Sequence, residues 1–546
     1  MTDAASEGIP PPDGAAGLID TDYIIGQDNV EGSVGPLGFD IHNPVFMVSA
    51  CSVVAFVFYT LALPEQAGAV FSWLFSAVTT GFDWFFLTAA NIFVLFCLFL
   101  IVSPLGSVRL GGKAATADYS YVGWFSMLFA AGMGIGLMFY GVSEPLTHFS
   151  TALGGTTVEG GVRTDWAPLG GAVGDEAEAI RLGMAATIFH WGLHPWAIYA
   201  VVGLALSLFS YNKGLPLTLR SAFYPLLGER VWGWPGHVID ILAVFATLFG
   251  LATSLGFGAA QANAGLNEVF GLPIGNTTEV LLISGITAIA LISVLRGLDG
   301  GVKILSEINM GLAFLLLAFV LLVGPTLAIL DTFGSSLLAY AEYLPQLANP
   351  IGRDDTNFMQ GWTSFYWAWW ISWSPFVGMF IARVSRGRTV REFLTCVLLI
   401  PSLVCVLWMS VFGGMAIQQV VQDGYTAAQD AELPRQLFLM LDGLPLTTIT
   451  SLIGVVLVIV FFVTSSDSGS LVIDTITAGG KVDAPVPQRV FWCLFEGAVA
   501  IVLLLSVGGL SSLQSMVIST GLPFTLVLLV MCFAIYRGLQ SERAIQ

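Results

Sequence analysis

Long apolar runs without a single charge follow one another along most of the chain. About 20 apolar residues are enough for a helix to cross the hydrocarbon core of a bilayer. Backbone in lipid must satisfy its own hydrogen bonds, and the alternating pattern of a membrane β-barrel is missing, so these runs predict helices. The pattern predicts twelve membrane-spanning helices, at residues 45–63, 83–106, 119–142, 181–208, 237–261, 277–298, 305–331, 360–383, 391–418, 446–476, 488–508 and 512–536.

The composition supports a membrane protein. Of the 546 residues, 56% are hydrophobic and 10% are charged, and the mean hydropathy is +0.83. A soluble domain has about a quarter of its residues charged, so a soluble protein is excluded. The net charge of −18 also argues against nucleic-acid binding.

The basic residues predict the orientation of the helices. With both termini in the cytoplasm, 15 of the 19 Lys and Arg residues fall on inner segments. Such a bias is what the positive-inside rule requires. The sequence therefore predicts a multi-pass protein of the cell inner (plasma) membrane with both termini cytoplasmic. The four outer basic residues are Arg163, Arg181, Arg353 and Arg435.

Three segments lie outside the predicted spans. Residues 1–44 carry eight acidic residues and no Lys or Arg, which predicts a disordered cytoplasmic tail rather than a signal peptide. Residues 334–348 are amphipathic and too short to cross, which predicts an interfacial helix within 334–358. Residues 538–546 form a short cytoplasmic tail.

Neither cysteine nor histidine predicts a catalytic or metal centre. The six cysteines lie in apolar runs without paired spacing, as buried inert thiols do. His190 and His194 are four residues apart, but the sequence offers no carboxylate beside them, so a zinc site is not predicted. Because the spans hold no nucleophile–base pair and no metal cluster, we expect neither an enzyme nor an organic cofactor.

Alternating glycines occur in the middle of the third predicted span, at Gly132, Gly134 and Gly136. Each weakens a helix by about 1 kcal/mol. One interpretation is close packing of helices through small residues. The other is an unwound stretch, in which bare peptide groups meet a ligand.

Aromatic residues cluster within the fourth and eighth predicted spans, at 190–199 and 365–376. Trp369 and Trp373 share one helix face because they are four residues apart. The cluster is either an interfacial aromatic belt or a box for an alkylated ammonium, since indole faces attract cations by about 2 kcal/mol when desolvated. The rings lie within the spans rather than at their ends, which favours the box.

Hydroxyl groups surround Asp467 in the tenth predicted span, at residues 464–470. This run is either a polar kink or a site for a hard cation such as sodium, since acids within membranes usually serve a function. Glu144, just after the third span, is either a helix cap or a proton relay.

On these motifs the chain resembles the betaine/choline/carnitine transporters, across residues 45–536. The residues that carry the resemblance are AGMGIGLMFY (131–140), FHWGLHPWAIY (189–199), FYWAWWISWSPFVGMF (365–380) and Thr464–Ser468. The resemblance implies an all-α fold similar to the amino-acid sodium symporters, with two inverted five-helix repeats. The expected units are two extra helices (45–118), a first repeat (119–333), the interfacial segment (334–358) and a second repeat (359–537).

The family's functional residues carry over position by position. The substrate site would comprise Trp191, Trp196, Tyr199, Trp369, Trp370, Trp373, Gly132, Gly134 and Gly136, with Trp367 on the outer substrate path. One sodium site would comprise Ala130, Met133, Phe461, Thr464 and Ser465. A second is incomplete: Thr247, Tyr199 and Phe376 match, but Leu251 stands where sodium-coupled members have threonine, leaving Thr253 or Ser254 as substitutes.

The resemblance implies secondary active uptake of glycine betaine, by sodium symport, in a homotrimer. Gly136 favours a zwitterion, because choline carriers of the family tend to have aspartate there. The alternatives are a carrier of choline, carnitine or dimethylsulfoniopropionate, or a substrate/product exchanger. A channel or a membrane receptor is the more distant alternative.

Overall fold

The structure is a computed structural model that describes residues 9–35, 37–132, 134–156, 158–159, 162–163, 165, 169–296, 302–353 and 355–546. These residues are mostly helical. The helices are α1 (Asn43–Ala62), α2 (Pro64–Val102), α3 (Tyr121–Gly132), α4 (Ile135–Gly154), α5 (Glu176–Trp191), α6 (Leu193–Ser207), α7 (Tyr224–Leu227), α8 (Trp234–Phe270), α9 (Asn276–Arg296), α10 (Val302–Val323), α11 (Thr326–Leu347), α12 (Ser364–Val384), α13 (Val390–Asp423), α14 (Leu433–Asp442), α15 (Thr447–Thr477), α16 (Val486–Leu505) and α17 (Leu510–Arg543).

Two short antiparallel hairpins accompany the helices. They are β1 (Asn29–Val34) with β2 (Leu37–His42), and β3 (Val158–Glu159) with β4 (Val162–Arg163). The first hairpin pairs Asn29 with His42 and leads directly into α1. The second lies in the connection between α4 and α5.

The predicted number of spans fits the described residues. Ten helical segments are long and apolar enough to cross a membrane, with α5 and α6 together forming one of them, and α3 with α4 forms one more span bent by 64°. The 21-residue α12 lies at the eighth predicted span and is largely buried, but it is not among these candidate spans. With α12, the part of the chain that the structure describes has a helix at each of the twelve predicted spans.

Helix contacts repeat between the two halves of the molecule. The α6 helix packs against α12, as α13 packs against α3 and α4. Likewise α8 contacts α9 and α16, while α15 contacts α16 and α9. These contacts of the first five-helix unit thus have counterparts in the second, as two inverted repeats require.

The seventh span is shorter than predicted. It was expected to continue to residue 331, but α10 ends at Val323 and α11 begins at Thr326. Gly324 and Pro325 separate the two helices, and proline cannot continue a helix because it lacks the backbone N–H. The amphipathic helix therefore starts at Thr326 rather than at residue 334, and it packs against α5 and α13.

The N-terminal tail differs from the predicted disorder. Within the described residues 9–35 and 37–44, Ile9 and Tyr23 are 4% and 3% exposed, and the Tyr23 ring stacks on Trp232 with a centroid distance of 4.2 Å. Asp13 pairs with Arg386 at 2.8 Å. Residues 1–8 lie outside the described part of the chain.

Charge explains why the tail is ordered. The end of the bundle on which the described part of the tail lies, here called the terminal end, holds Arg220, Lys481 and Glu542. Lys481 pairs with Asp40 at 2.5 Å, and Glu542 accepts a hydrogen bond from the Gly17 N–H at 2.9 Å. The prediction considered the acidic tail by itself, without the rest of the protein to pack against. In the structure, Arg386, Lys481 and Glu542 supply its partners.

Candidate functional site

The third span is interrupted at its glycine-rich stretch. The α3 helix ends at Gly132 and α4 begins at Ile135, with Gly134 in an extended conformation (φ −171°, ψ −178°). A Cβ atom added to Gly134 would meet nothing within 4 Å, so this backbone borders open space. Of the two interpretations of these glycines, close packing and an unwound stretch, the conformation at Gly134 agrees with the unwound stretch.

The surroundings of Gly136 agree instead with close packing. A Cβ atom there would lie 2.8 Å from Cη2 of Trp191 and 3.0 Å from Cη2 of Trp369. Real Cβ atoms do not approach other atoms so closely, because the repulsion is steep. Both indoles therefore pack directly against the backbone at this position.

The fourth span is interrupted as well. Trp191 is the last residue of α5, and α6 begins at Leu193 after Gly192. The break places Trp191 and Trp196 at adjoining helix ends. Both tryptophans face the interruption in the third span, because they line the same cavity.

The empty space in and around that cavity is about 490 Å³, which includes solvent at its open side. Its walls come from the two interrupted spans, from α12 and from α13. All six predicted aromatic residues and all three predicted glycines line it. The lining residues are Ala131, Gly132, Gly134, Ile135, Gly136, Leu137, Trp191, Pro195, Trp196, Tyr199, Trp369, Trp370, Trp373, Val377 and Cys405.

The rings stand at defined angles. Trp191 and Trp370 have centroids 5.0 Å apart and planes at 74°, whereas Trp369 and Trp370 stack at 5.0 Å and 12°. Trp196 and Tyr199 meet edge to face at 5.3 Å. These rings lie within a buried cavity rather than at the ends of the spans, so the interfacial belt does not describe them.

Hydrogen bonds behind the rings fix their orientation. The indole N–H of Trp369 donates to the Ser254 hydroxyl at 3.1 Å. That of Trp370 donates to the carbonyl of His190 at 2.9 Å, and that of Trp373 to the carbonyl of Gly250 at 3.0 Å. Since the polar edges are occupied, these side chains present carbon surface to the cavity.

Glu144 lies behind the cavity wall, and its place there was not foreseen from the sequence. The carboxylate accepts hydrogen bonds from the Trp191 indole at 2.7 Å and from the Tyr366 hydroxyl at 2.5 Å. It also bonds His190 Nδ1 at 2.6 Å and His148 Nε2 at 3.3 Å. The sequence showed no carboxylate beside His190, and the structure brings one there from the third span.

Residues 44–544 match the profile of the BCCT, betaine/carnitine/choline family transporter. The chain belongs to this family. It is 65% identical over 535 residues to a glycine betaine/proline/choline transporter of Vibrio parahaemolyticus, covering 98% of this chain and 97% of that one. It is 56% identical to glycine betaine transporter 1 of the same species (96% and 98% covered) and 41% identical to the glycine betaine transporter OpuD of Bacillus subtilis (92% and 95% covered).

Family membership makes the chain a multi-pass membrane transporter. In this transporter, Trp367 lies outside the cavity that its neighbours line. It is fully buried and stacks on His194 with a centroid distance of 5.2 Å. Its predicted place on an outer substrate path stays a prediction. His194 bonds Asn91 at 2.9 Å and His190 bonds Glu144, so the two histidines point to different partners.

The residues of the predicted sodium site lie partly in α15. The Thr464 hydroxyl donates to the carbonyls of Val460 and Phe461 at 3.0 and 3.1 Å. Ser465 and Ala130 are half-buried. Met133, the fifth predicted ligand, lies outside the described residues. This site stays a prediction.

Asp467 belongs to a different environment from Thr464. Its carboxylate accepts a hydrogen bond from Ser293 of α9 at 2.6 Å. The neighbouring Ser466 hydroxyl lies 3.3 Å from a carboxylate oxygen of Glu496 in α16. The hydroxyl-rich run therefore divides between faces of α15, and Asp467 faces α9 rather than completing a single cluster.

Residues of the second predicted sodium site already have partners within the protein. The Thr247 hydroxyl donates to the Ala243 carbonyl at 2.7 Å, and the Phe376 ring packs on Trp373 at 5.3 Å. Leu251 packs on Gly469 of α15, where a Cβ would lie 2.2 Å from Leu251 Cδ1.

The two substitute hydroxyls are also hydrogen-bonded. Thr253 lies 3.2 Å from the Leu513 carbonyl of α17. Ser254 accepts the indole N–H of Trp369.

Proposed function

We propose that this transporter takes up glycine betaine or a closely related quaternary-ammonium solute. The observation that carries the proposal is the buried cavity lined by Trp191, Trp196, Tyr199, Trp370 and neighbouring indoles. A trimethylammonium group neither donates nor accepts hydrogen bonds, so aromatic faces suit it better than polar groups. The relatives named as glycine betaine transporters support the same substrate.

The two ends of a zwitterion match two different walls. The methylated cationic end would contact the indoles. The carboxylate would meet the bare backbone near Gly134, where the interrupted helix leaves peptide groups unshielded. Gly136 supports a zwitterion over choline because the indoles leave no room for an aspartate side chain at that position.

Choline and proline are the second candidates. One observation favours them: the relative that is 65% identical is named a glycine betaine/proline/choline transporter. The ring faces add an argument for choline, a methylated cation, because their attraction depends on charge and contact rather than on directed hydrogen bonds. Proline rests on the name of the relative alone.

We further propose that inward sodium drives uptake through the site around Thr464 and Ser465. The distribution of basic residues supports insertion in the cell inner membrane with both termini cytoplasmic. The resemblance to the family supports a homotrimer. Substrate and sodium would then favour closure of the two repeats together, which couples their movements.

Uptake into proteoliposomes tests the proposal. Radiolabelled glycine betaine, choline, proline, carnitine and dimethylsulfoniopropionate are offered under an imposed inward sodium gradient, a proton gradient or neither. We expect saturable glycine betaine uptake that requires the sodium gradient. Uptake driven equally by a proton gradient alone would contradict sodium symport, and no uptake of any methylated solute would contradict the substrate class.

A further inference from the structure

The cavity has aromatic and backbone walls but no charged lining residue among those described. Glu144 is a carboxylate that directly contacts one of its walls. The side chain of Glu144 is fully buried, and its Oε2 atom lies 2.7 Å from Nε1 of Trp191. The charge of Glu144 is therefore separated from the cavity by a single indole ring.

The hydrogen bonds around Glu144 fit an ionised carboxylate. Four donor-capable groups converge on its two oxygens, and an ionised carboxylate has about four acceptor positions. The Trp191 N–H can only donate. The Tyr366 hydroxyl and the two histidine rings can each donate as well as accept, so an ionised Glu144 satisfies all four contacts at once.

The negative charge of Glu144 can persist without a compensating positive charge on His190 or Arg353. His190 has a partner on each side: Nδ1 faces Glu144 at 2.6 Å, and Nε2 lies 3.0 Å from the Thr363 hydroxyl. A neutral imidazole satisfies both contacts by donating from Nδ1 and accepting at Nε2. The nearby Arg353 is paired with Asp355 at 2.7 Å.

A metal site is the other interpretation of this cluster, since ligand atoms of Glu144, His148 and His190 lie within 4.8 Å of one another. Two ligands of one tetrahedral zinc ion are about 3.3 Å apart, given metal–ligand bonds of about 2.0 Å. The 2.6 Å between Glu144 Oε1 and His190 Nδ1 is shorter and is a hydrogen-bond distance. The geometry favours a hydrogen-bonded network.

We propose that Glu144 is a positioning and specificity-determining residue. It holds the Trp191 indole in place and, from behind the ring, supplies the negative potential that makes the cavity prefer a cationic head group over an uncharged one of the same shape. This inference rests on the proposed function, because it assigns a cause of selectivity to the same cavity. A hydrogen-bonded anion behind the ring adds its own field to that of the indole face.

An uncharged isostere of glycine betaine tests the role of charge. In 3,3-dimethylbutyrate a carbon atom replaces the ammonium nitrogen, so size and carboxylate are kept while the positive charge is lost. The experiment measures the concentration of each compound that half-inhibits radiolabelled glycine betaine uptake, in the wild-type protein and in E144Q. Glutamine is nearly isosteric and can keep hydrogen bonds to Trp191 and His190.

We expect the preference for glycine betaine over 3,3-dimethylbutyrate to fall in E144Q by about 30-fold, from Coulomb's law at about 8 Å and an effective dielectric constant of about 20. If Glu144 only held Trp191 in place, E144Q would change the half-inhibiting concentrations of both compounds by the same factor. Their ratio would then equal the wild-type ratio. An unchanged ratio in folded E144Q would overturn the inference.

Two further variants control the comparison. E144D keeps the charge but shortens the side chain, so we expect weaker binding of both compounds with the wild-type preference retained. If E144Q folds poorly, E144D still tests the inference. Loss of the preference for glycine betaine over 3,3-dimethylbutyrate in E144D, which keeps the charge, would contradict a role of that charge. E496Q removes another fully buried carboxylate, in α16, and should leave the ratio unchanged.

The wild-type protein separates this inference from the proposed function. If the wild-type protein does not take up glycine betaine, the proposed function fails before Glu144 is tested. If it does, and the E144Q ratio equals the wild-type ratio, only the inference about Glu144 fails.

Discussion

At the scale of single residues, the tryptophans of the cavity differ from ordinary buried tryptophans in the way their polar edges are used. Trp369, Trp370 and Trp373 each donate their N–H away from the cavity. The carbon faces are left to meet a ligand. This arrangement attracts a methylated cation without offering water a hydrogen-bond partner.

Replacing Trp370 with leucine should weaken glycine betaine uptake strongly. Trp370 contacts both Trp191 and Trp369, so its removal takes away one ring face and loosens the packing of two others. We expect the half-saturation constant to rise by 10-fold or more, since each desolvated ring contributes about 2 kcal/mol. W124L, which removes a buried indole of α3 that does not line the cavity, is the control. Equal effects of the two variants would argue against the aromatic cavity.

Adding a methyl group at Gly136 should also impair binding. Its Cβ would lie 2.8 Å from Trp191 and 3.0 Å from Trp369, so both rings must shift. Overpacking of this kind costs about 1 to 3 kcal/mol, which predicts a rise in the half-saturation constant of roughly 5- to 150-fold in G136A. G285A is the control, because a Cβ at Gly285 would meet nothing within 4 Å. Normal uptake by G136A would show that the rings are freer than this packing indicates.

At the scale of the helices, α15 presents polar groups to more than one neighbour. Ser466 and Asp467 contact α16 and α9, whereas Thr464 bonds within its own helix. A hydroxyl bonded only to its own helix can turn to a cation at little cost. Mutation can therefore distinguish the role of the predicted sodium ligand Thr464 from that of Ser466, whose hydroxyl contacts a neighbouring helix.

The double variant T464A/S465A should weaken the dependence of uptake on sodium. Removing two oxygen ligands should raise the sodium concentration needed for half-maximal uptake by 10-fold or more, while S466A, on the α16 side, should leave it unchanged. The measurement is a sodium titration of glycine betaine uptake in proteoliposomes. Coincident titration curves for the wild-type protein and T464A/S465A would remove these residues from the coupling site.

The sequence predicted the elements better than it predicted their junctions. Uninterrupted apolar runs located the spans, and the i, i+4 spacing of Trp369 and Trp373 correctly placed both rings on one face. The end of the seventh span was missed because hydropathy continues beyond Gly324, although the Gly-Pro pair marks the break. Hydropathy reports burial in lipid and is insensitive to where a helix stops.

Contacts between distant segments could not be predicted in the same way. Glu144 and Trp191 are separated by 47 residues, and nothing local in either motif indicates that they meet. The same holds for Tyr366, 222 residues from Glu144. Such partners are set by the packing of whole helices, so a single sequence can predict the ring cluster but not the carboxylate behind it.

At the scale of the whole molecule, the terminal end connects the tail to both repeats. Arg220 bonds His42 at 3.3 Å and pairs with Asp240 at 3.0 Å. Burial, together with Arg220 and His237 nearby, lowers the pKa of His42 to about 3. A neutral His42 is thus part of the docked tail.

Docking of the tail should weaken in acid. Because the pKa of His42 is about 3 when docked and about 6.5 when free, the undocked tail binds more protons between these values. Stability falls as the pH drops below about 6.5, by up to about 1.4 kcal/mol per pH unit. Hydrogen exchange of the Asn29–Val34 and Leu37–His42 hairpin, corrected for intrinsic rates, should show this loss of protection. H42Q should show a weaker pH dependence; an identical dependence would assign the effect to another group.

A structure determined by electron cryomicroscopy with saturating glycine betaine tests the central claim most directly. We predict ligand density inside the cavity, with the ammonium within about 6 Å of the ring centroids of Trp191 and Trp370 and the carboxylate toward the backbone at Gly134. Density for glycine betaine elsewhere in the protein, with the aromatic cavity empty, would contradict the account.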